Sequence, residues 1–130
     1  MTWTHKDSTA NYMLDQLYDN KFPPGSTIAI RTGAPAGPNN AAGGSALISY
    51  TTGAGWNAAA SKSKSKNFTL SGAASGTGTA GHFRMNNAAD TERAEGTVTA
   101  TGGGGDMTVD NTNIASAQTV TVNTLTITAT

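Results

Sequence analysis

Four features of this 130-residue chain have residue types and spacings that chemistry could use: two imidazoles, a glycine-patterned turn, three alternate lysines and a group of oxygen-bearing side chains. His5 and His82 are the histidines. A hydrolase needs a nucleophile activated beside such a ring, and the sequence contains no Gly-x-Ser-x-Gly elbow to present one. Gly76-Thr77-Gly78-Thr79-Ala80-Gly81 carries the spacing of a dinucleotide-binding turn, with Glu95 downstream where a ribose-binding acid would stand. Such a turn works by delivering pyrophosphate to a helix N-terminus, whereas Gly81 leads into the alternating His82-Phe83-Arg84-Met85, which is a strand pattern. The segment is therefore expected to be a loop. Gly102 to Gly105 lacks the following Lys and Ser or Thr of a phosphate loop. Asp106, Asp110, Asn111 and Asn113 offer oxygens, but not at calcium-loop spacing, and turn formation accounts for Asp and Asn more simply. The sequence thus predicts a protein that is not an enzyme, with no catalytic residue, cofactor or metal.

Lys62, Lys64 and Lys66 alternate, so on a strand all three project from one face. Lysines there protect an edge strand against wrong pairing; contact with an acidic surface or nucleic acid is the second reading, disfavoured because no aromatics interleave with them. His82 and Arg84 alternate out of phase with Phe83 and Met85, which places them on a surface or an interface. Trp3 and His5 lie in a segment without periodicity, read as an N-terminal arm over residues 1–6. Trp3, His5, Lys62, Lys64, Lys66, His82 and Arg84 are accordingly the candidate interface residues.

These groups need elements to position them. Asp7-Ser8-Thr9 precede Ala10, Met13, Leu14 and Leu17, one helical stripe at i, i+3, i+4 and i+7, so a helix is expected over 7–20, packing that stripe on a sheet. Phe22-Pro23-Pro24-Gly25 ends it. Strands are expected at Ser26 to Thr32, Leu47 to Tyr50, Asn67 to Leu70, Ala80 to Asn86, Ala94 to Ala100, Met107 to Val109 and Thr119 to Thr128; Gly33 to Gly44 and Ser71 to Thr79 read as loops. In the last strand Val120 and Val122 are out of phase with Leu125 and Ile127. A bulge at Asn123-Thr124 would bring all four to one face; cover on both faces is the alternative. The fold class that follows is mainly β: a single domain of an antiparallel β-sandwich or jelly-roll kind over 26–130 after one N-terminal helix.

Composition bounds the partners. Charged residues make up 12% of the chain and the net charge is zero, which gives no global attraction to nucleic acid or to an anionic membrane. From Arg31 to Arg84 every charge is basic, whereas Asp90, Glu92, Glu95, Asp106 and Asp110 against Arg93 make the last third acidic. Two oppositely charged faces that meet between subunits of a head-to-tail homo-oligomer are expected. Cysteine is absent, so disulfides and thiolate metal sites are excluded. No apolar run nears the roughly 20 residues of a membrane span, and the N-terminus lacks a basic region followed by an apolar core, so a soluble protein not exported by that route is expected.

Two stretches carry a resemblance. The first is Met13-Leu14-Asp15-Gln16-Leu17, then Ile28-Ala29-Ile30-Arg31-Thr32-Gly33-Ala34-Pro35, then Ala46-Leu47-Ile48. The second runs through Thr79-Ala80-Gly81-His82-Phe83-Arg84, Glu95-Gly96-Thr97-Val98, Gly105-Asp106-Met107-Thr108-Val109-Asp110 and Ala117-Gln118-Thr119-Val120 to Leu125-Thr126-Ile127. In order and spacing they resemble a family of small virion structural proteins of tailed bacteriophages. Ser61 to Lys66 departs from that pattern, and Ala117 stands where a turn glycine is expected. The resemblance implies a capsid-bound decoration or cement protein: made in the host cytoplasm, located on the capsid surface of the virion, partnered by the major capsid protein and by itself as a trimer. A tail-fibre or tail-associated module is the alternative. A carbohydrate-binding sandwich, from a different class, would present Trp56, Tyr50 or Trp3 on an exposed platform.

Overall fold

Two prolines and a change of period divide the chain into a helix and a sheet. The computed structural model describes residues 4–129, so Trp3 and the first residues of the expected arm lie outside it. Helix α1 spans Asp7–Lys21, and Asp7, expected among its capping residues, falls inside its first turn, where its charge complements the helix dipole. Lys6 occupies the cap position without a side-chain bond. The buried face of α1 is Ala10, Leu14 and Tyr18. Met13 and Leu17, expected in the core stripe, are instead each 46% exposed.

Among the described residues nine strands follow: β1 (Thr27–Thr32), β2 (Ala46–Thr51), β3 (Ser63–Ser65), β4 (Ser71–Ala73), β5 (Gly78–Asn86), β6 (Arg93–Ala100), β7 (Met107–Val109), β8 (Asn113–Ile114) and β9 (Thr119–Thr128). The protein is mainly β, with one helix and a curled mixed sheet. Its path is β2-β1-β5-β6-β7-β9-β3, with β4 also on β9 and β8 on β5. Pairing is antiparallel except between β6 and β7, which run parallel, so the sheet is not antiparallel throughout. The curl brings β2 near β4: the N–H groups of Ser75 and Gly76, just past β4, both donate to the Leu47 carbonyl. The expected strand at Asn67 to Leu70 is irregular; Phe68 and Leu70 are buried, but the ladder with β9 begins only at Ser71, in the segment read as loop.

In β9 the phase change is resolved as a bulge. Thr108 faces Thr124 and Val109 faces Val122, which leaves Asn123 as the extra residue. Val120, Val122 and Leu125 are consequently all buried, and Ile127 is half-buried against the same core. Both departures from the family pattern fall on left-handed backbone: Ala117 has φ +70°, and Ser61 and Lys62 have φ +50° and +61° in the turn before β3.

Candidate functional site

Strand β5 lies inside the sheet between β1 and β6, and its side chains alternate between two covered faces. Phe83 and Met85 enter the apolar core with Ile28 and Ile30 of β1. His82 and Arg84 point the other way, and both are buried. What covers them is the long β1–β2 connection. Its small residues leave main-chain groups open to contact, and the outward side chains of the sheet bind that backbone. His82 Nδ1 contacts Gly33 O at 2.8 Å, Arg84 Nη2 donates to Gly37 O at 3.0 Å, and Arg31 donates through Nε to Gly43 O at 2.7 Å and through Nη2 to Gly44 O at 3.0 Å. Gly37 N–H returns a bond to Glu95 Oε2 at 2.8 Å.

The centre of this arrangement is an ion pair. Arg84 reaches Glu95 Oε1 from Nε at 2.7 Å and from Nη2 at 2.6 Å, and both side chains are nearly dry. Burial pushes the Glu95 carboxyl up, but the bonds from Arg84 and Gly37 N–H, together with the nearby positive charge, outweigh it and hold the group below its ordinary value. A carbonyl oxygen accepts only, so the His82 Nδ1 contact with Gly33 O is a bond donated by the ring. Among the described residues Nε2 is the one buried side-chain polar atom without a partner.

The glycine-patterned segment, expected to be a loop, is already β5 from Gly78 onward. A Cβ on Gly81 would sit 2.3 Å from Gly33 O, and one on Gly76 would sit 2.8 Å from Ala46 O. Gly81 thus serves the close approach of β5 to the covering loop, and Gly76 that of the segment before β5 to the start of β2. Asp106 bonds Thr97, Asp110 accepts from Asn123, and Asn111 closes a local turn with Asn113 N–H, so these oxygens are used within the chain.

The alternate lysines form a second constellation. Lys64 of β3 is fully buried, its ammonium 2.6 Å from Asp15 Oδ1, 3.1 Å from Asp19 Oδ1 and 2.9 Å from Asn57 O. Lys62 N–H donates to Asn11 Oδ1 and its ammonium lies 3.7 Å from Asp7. Lys66 donates to Phe68 O. Asp7, Asn11, Asp15 and Asp19 recur every four residues on α1, a stripe on one side of the helix. β3 ends the sheet's path, as an edge strand is expected to, but its lysines face the helix, and that acidic spacing was the available signal for the contact. The bond from Lys64, then that from Ala59 N–H, holds the Asp15 carboxyl below its usual value. Beside the stripe, Phe22, Tyr18, Trp56 and Phe68 form a row in which Phe22 stacks on Tyr18 and the next two contacts are edge-on, and Trp56 Nε1 donates to Phe22 O.

The candidate interface residues therefore separate. Lys64, His82 and Arg84 are buried within the chain, where charge pairing and backbone bonds satisfy Lys64 and Arg84 and one backbone bond holds His82 at Nδ1; Lys62, Lys66 and His5 are half-buried; Trp3 lies outside the described residues. Comparison with protein-family models, with curated proteins and with solved structures returns no match.

Proposed function

We propose that this protein is a capsid-bound decoration protein of a tailed bacteriophage, which stabilises the head through contacts of its helix with the major capsid protein. The observation that supports the docking surface is the outer face of α1. The large hydrophobic side chains exposed among the described residues are Tyr12 (66%), Met13 (46%) and Leu17 (46%), and all three belong to that helix. Water-exposed apolar side chains gathered on one element, in a chain with few large apolar residues, favour a surface covered by a partner. The phage resemblance supplies that partner. A jelly-roll-like reading of the curled sheet is part of the same proposal.

Two earlier expectations enter in altered form. The basic middle and acidic last third were expected to meet between subunits, yet Arg84 pairs with Glu95 inside the chain and Lys64 with the helix acids. The proposed trimer thus rests on the resemblance without that charge argument. Trp56 and Tyr50 are both buried, with the Tyr50 hydroxyl donating to Val120 O, so neither supplies the exposed platform that carbohydrate binding would use.

The test is add-back to phage heads assembled without the protein, read by co-sedimentation. The parent chain should bind saturably, and Leu17→Asp, exposed and therefore tolerated by the fold, should weaken binding by about tenfold or more, as loss of an apolar anchor does. Equal binding of the two chains would remove α1 as the docking face. Binding to tails but not to heads would move the protein to the tail-associated alternative.

A further inference from the structure

We propose that the space between the β1–β2 loop and the outer face of the sheet is a binding site for a carboxylate. A cavity of about 330 Å³ opens there, with Arg31, Arg84 and Arg93 on its sheet side, Ala41 and Ala42 on its loop side, and Asp90 at its rim. Its position follows from register: Ala29 faces Arg84 across β1 and β5, Arg84 faces Glu95 across β5 and β6, and Asn86 faces Arg93, so the three guanidinium groups rise from neighbouring strands on the face opposite Phe83 and Met85.

Charge decides the ligand. Arg93 is neutralised by Asp90, bonded through Nε and Nη2 at 2.9 Å each, and Arg84 is neutralised by Glu95. Arg31 forms no ion pair among the described residues; its Nε and Nη2 are held by loop carbonyls. Among the described residues the one buried side-chain polar atom without a partner is His82 Nε2, so the remaining Arg31 nitrogen is open to water. The cavity thus presents one uncompensated guanidinium, fixed by two backbone bonds, beside two that are already paired. One net positive charge balances a monoanion such as a carboxylate, which can accept from the Arg31 nitrogen that the loop carbonyls leave free; a phosphate dianion would be left with excess charge beside Asp90. The small side chains of Ala41 and Ala42 leave the volume open, at the lower end of the range for small-ligand sites.

The carboxylate can belong to a free acid or to an acidic side chain of a partner, and the experiment separates them. The full chain is titrated by amide NMR with acetate, with a blocked peptide bearing a single Glu, with inorganic phosphate and with chloride at matched ionic strength. Acetate or the peptide should move the Ala41, Ala42 and Arg93 resonances saturably, beyond the effect of chloride, with phosphate the weaker oxyanion. A response to acetate alone identifies a site for free acids, and a response to the peptide identifies a site for side chains; either supports the assignment. Arg31→Gln should weaken the response by about tenfold or more, as expected for one charge-assisted bond. Ala42→Leu, which fills the cavity and leaves every loop-pinning bond in place, should abolish it while the rest of the spectrum is unchanged. Shifts that never saturate, that chloride reproduces, or that survive Ala42→Leu overturn the proposal.

Discussion

Lys64 and Arg84 are both buried cations on strands, yet their surroundings differ in the exposure of the partner. The Lys64 side chain is wholly buried, but its carboxylates are 33% and 51% exposed, at Asp15 and Asp19. Arg84 is 7% exposed and Glu95 3%, and their remaining bonds go to Gly37 of the covering loop. The lysine is neutralised from the solvent side by two groups that share the task and keep much of their hydration. The arginine pair is dry, single and tied to the backbone. Breaking the first leaves carboxylates that water can receive; breaking the second leaves a charge that water cannot reach.

The largest effect should come from Arg84→Ala. It strands the Glu95 carboxylate and frees Gly37 O, and a broken buried pair costs about 3–5 kcal/mol, measurable as a shift of the urea midpoint. The double variant Arg84→Met with Glu95→Leu should recover most of that loss, since apolar replacement of a whole buried pair is often near neutral. A double variant as unstable as the single one would mean that Arg84 acts through loop packing rather than through the pair.

Lys64→Met should cost less, about 1–2 kcal/mol, because the methionine keeps the apolar stem while the lost bonds to Asp15, Asp19 and Asn57 are partly replaced by water. The helix should stay docked through Leu14, Tyr18 and the aromatic row, which far-ultraviolet and near-ultraviolet circular dichroism would register. A loss as large as that of Arg84→Ala would show that partner exposure is not what separates the two sites.

The smallest effect, and the one that resolves the comparison most finely, lies in acid. Glu95 and Asp15 are both held below their ordinary values in the folded chain, so their contributions are fully present above the unfolded range near about pH 4 and are lost as pH falls through the lower folded values. The parent should lose stability on that limb. Arg84→Ala should lose less, because Glu95 without its partner is pushed up by burial and protonates earlier, so the gap to the parent narrows as the solution is acidified. Lys64→Met should show a weaker narrowing, confined to lower pH, because Asp15 stays hydrated. Parallel curves for parent and Arg84→Ala, followed by urea unfolding across pH, would contradict a dry Glu95.

Much of the scaffold was legible because local rules were obeyed. The prolines ended the helix, alternation marked β1, β5, β6 and β9, and the phase change of Val120 and Val122 against Leu125 and Ile127 pointed to a bulge at Asn123-Thr124, which the register places at Asn123. The same alternation misplaced His82 and Arg84. Polar residues out of phase with Phe83 and Met85 normally face water, and nothing local to β5 says that Gly33 and Gly37, 49 and 47 residues before the side chains they bind, will lie over them. The helix stripe failed similarly: Leu14 and Leu17 are equally apolar, and the contact with Lys62 and Lys64 turned Asp15 inward and Leu17 outward.

By itself, then, the sequence determined the helix, the long strands β1, β2, β5, β6 and β9 and the irregularity in β9, because those depend on period, proline and β-branching within a few residues, whereas the short strands β3 and β4 carry too little pattern to be read that way. Only the tertiary structure decided which face of each element is covered. The parallel pairing of β6 with β7, the closure of the curled sheet at Leu47 and the loop over Arg84 and Glu95 join residues far apart along the chain or set a strand direction that no local pattern encodes. A buried charge is stabilised by the partner that folding brings to it, and a residue's own neighbours in sequence carry no record of that partner.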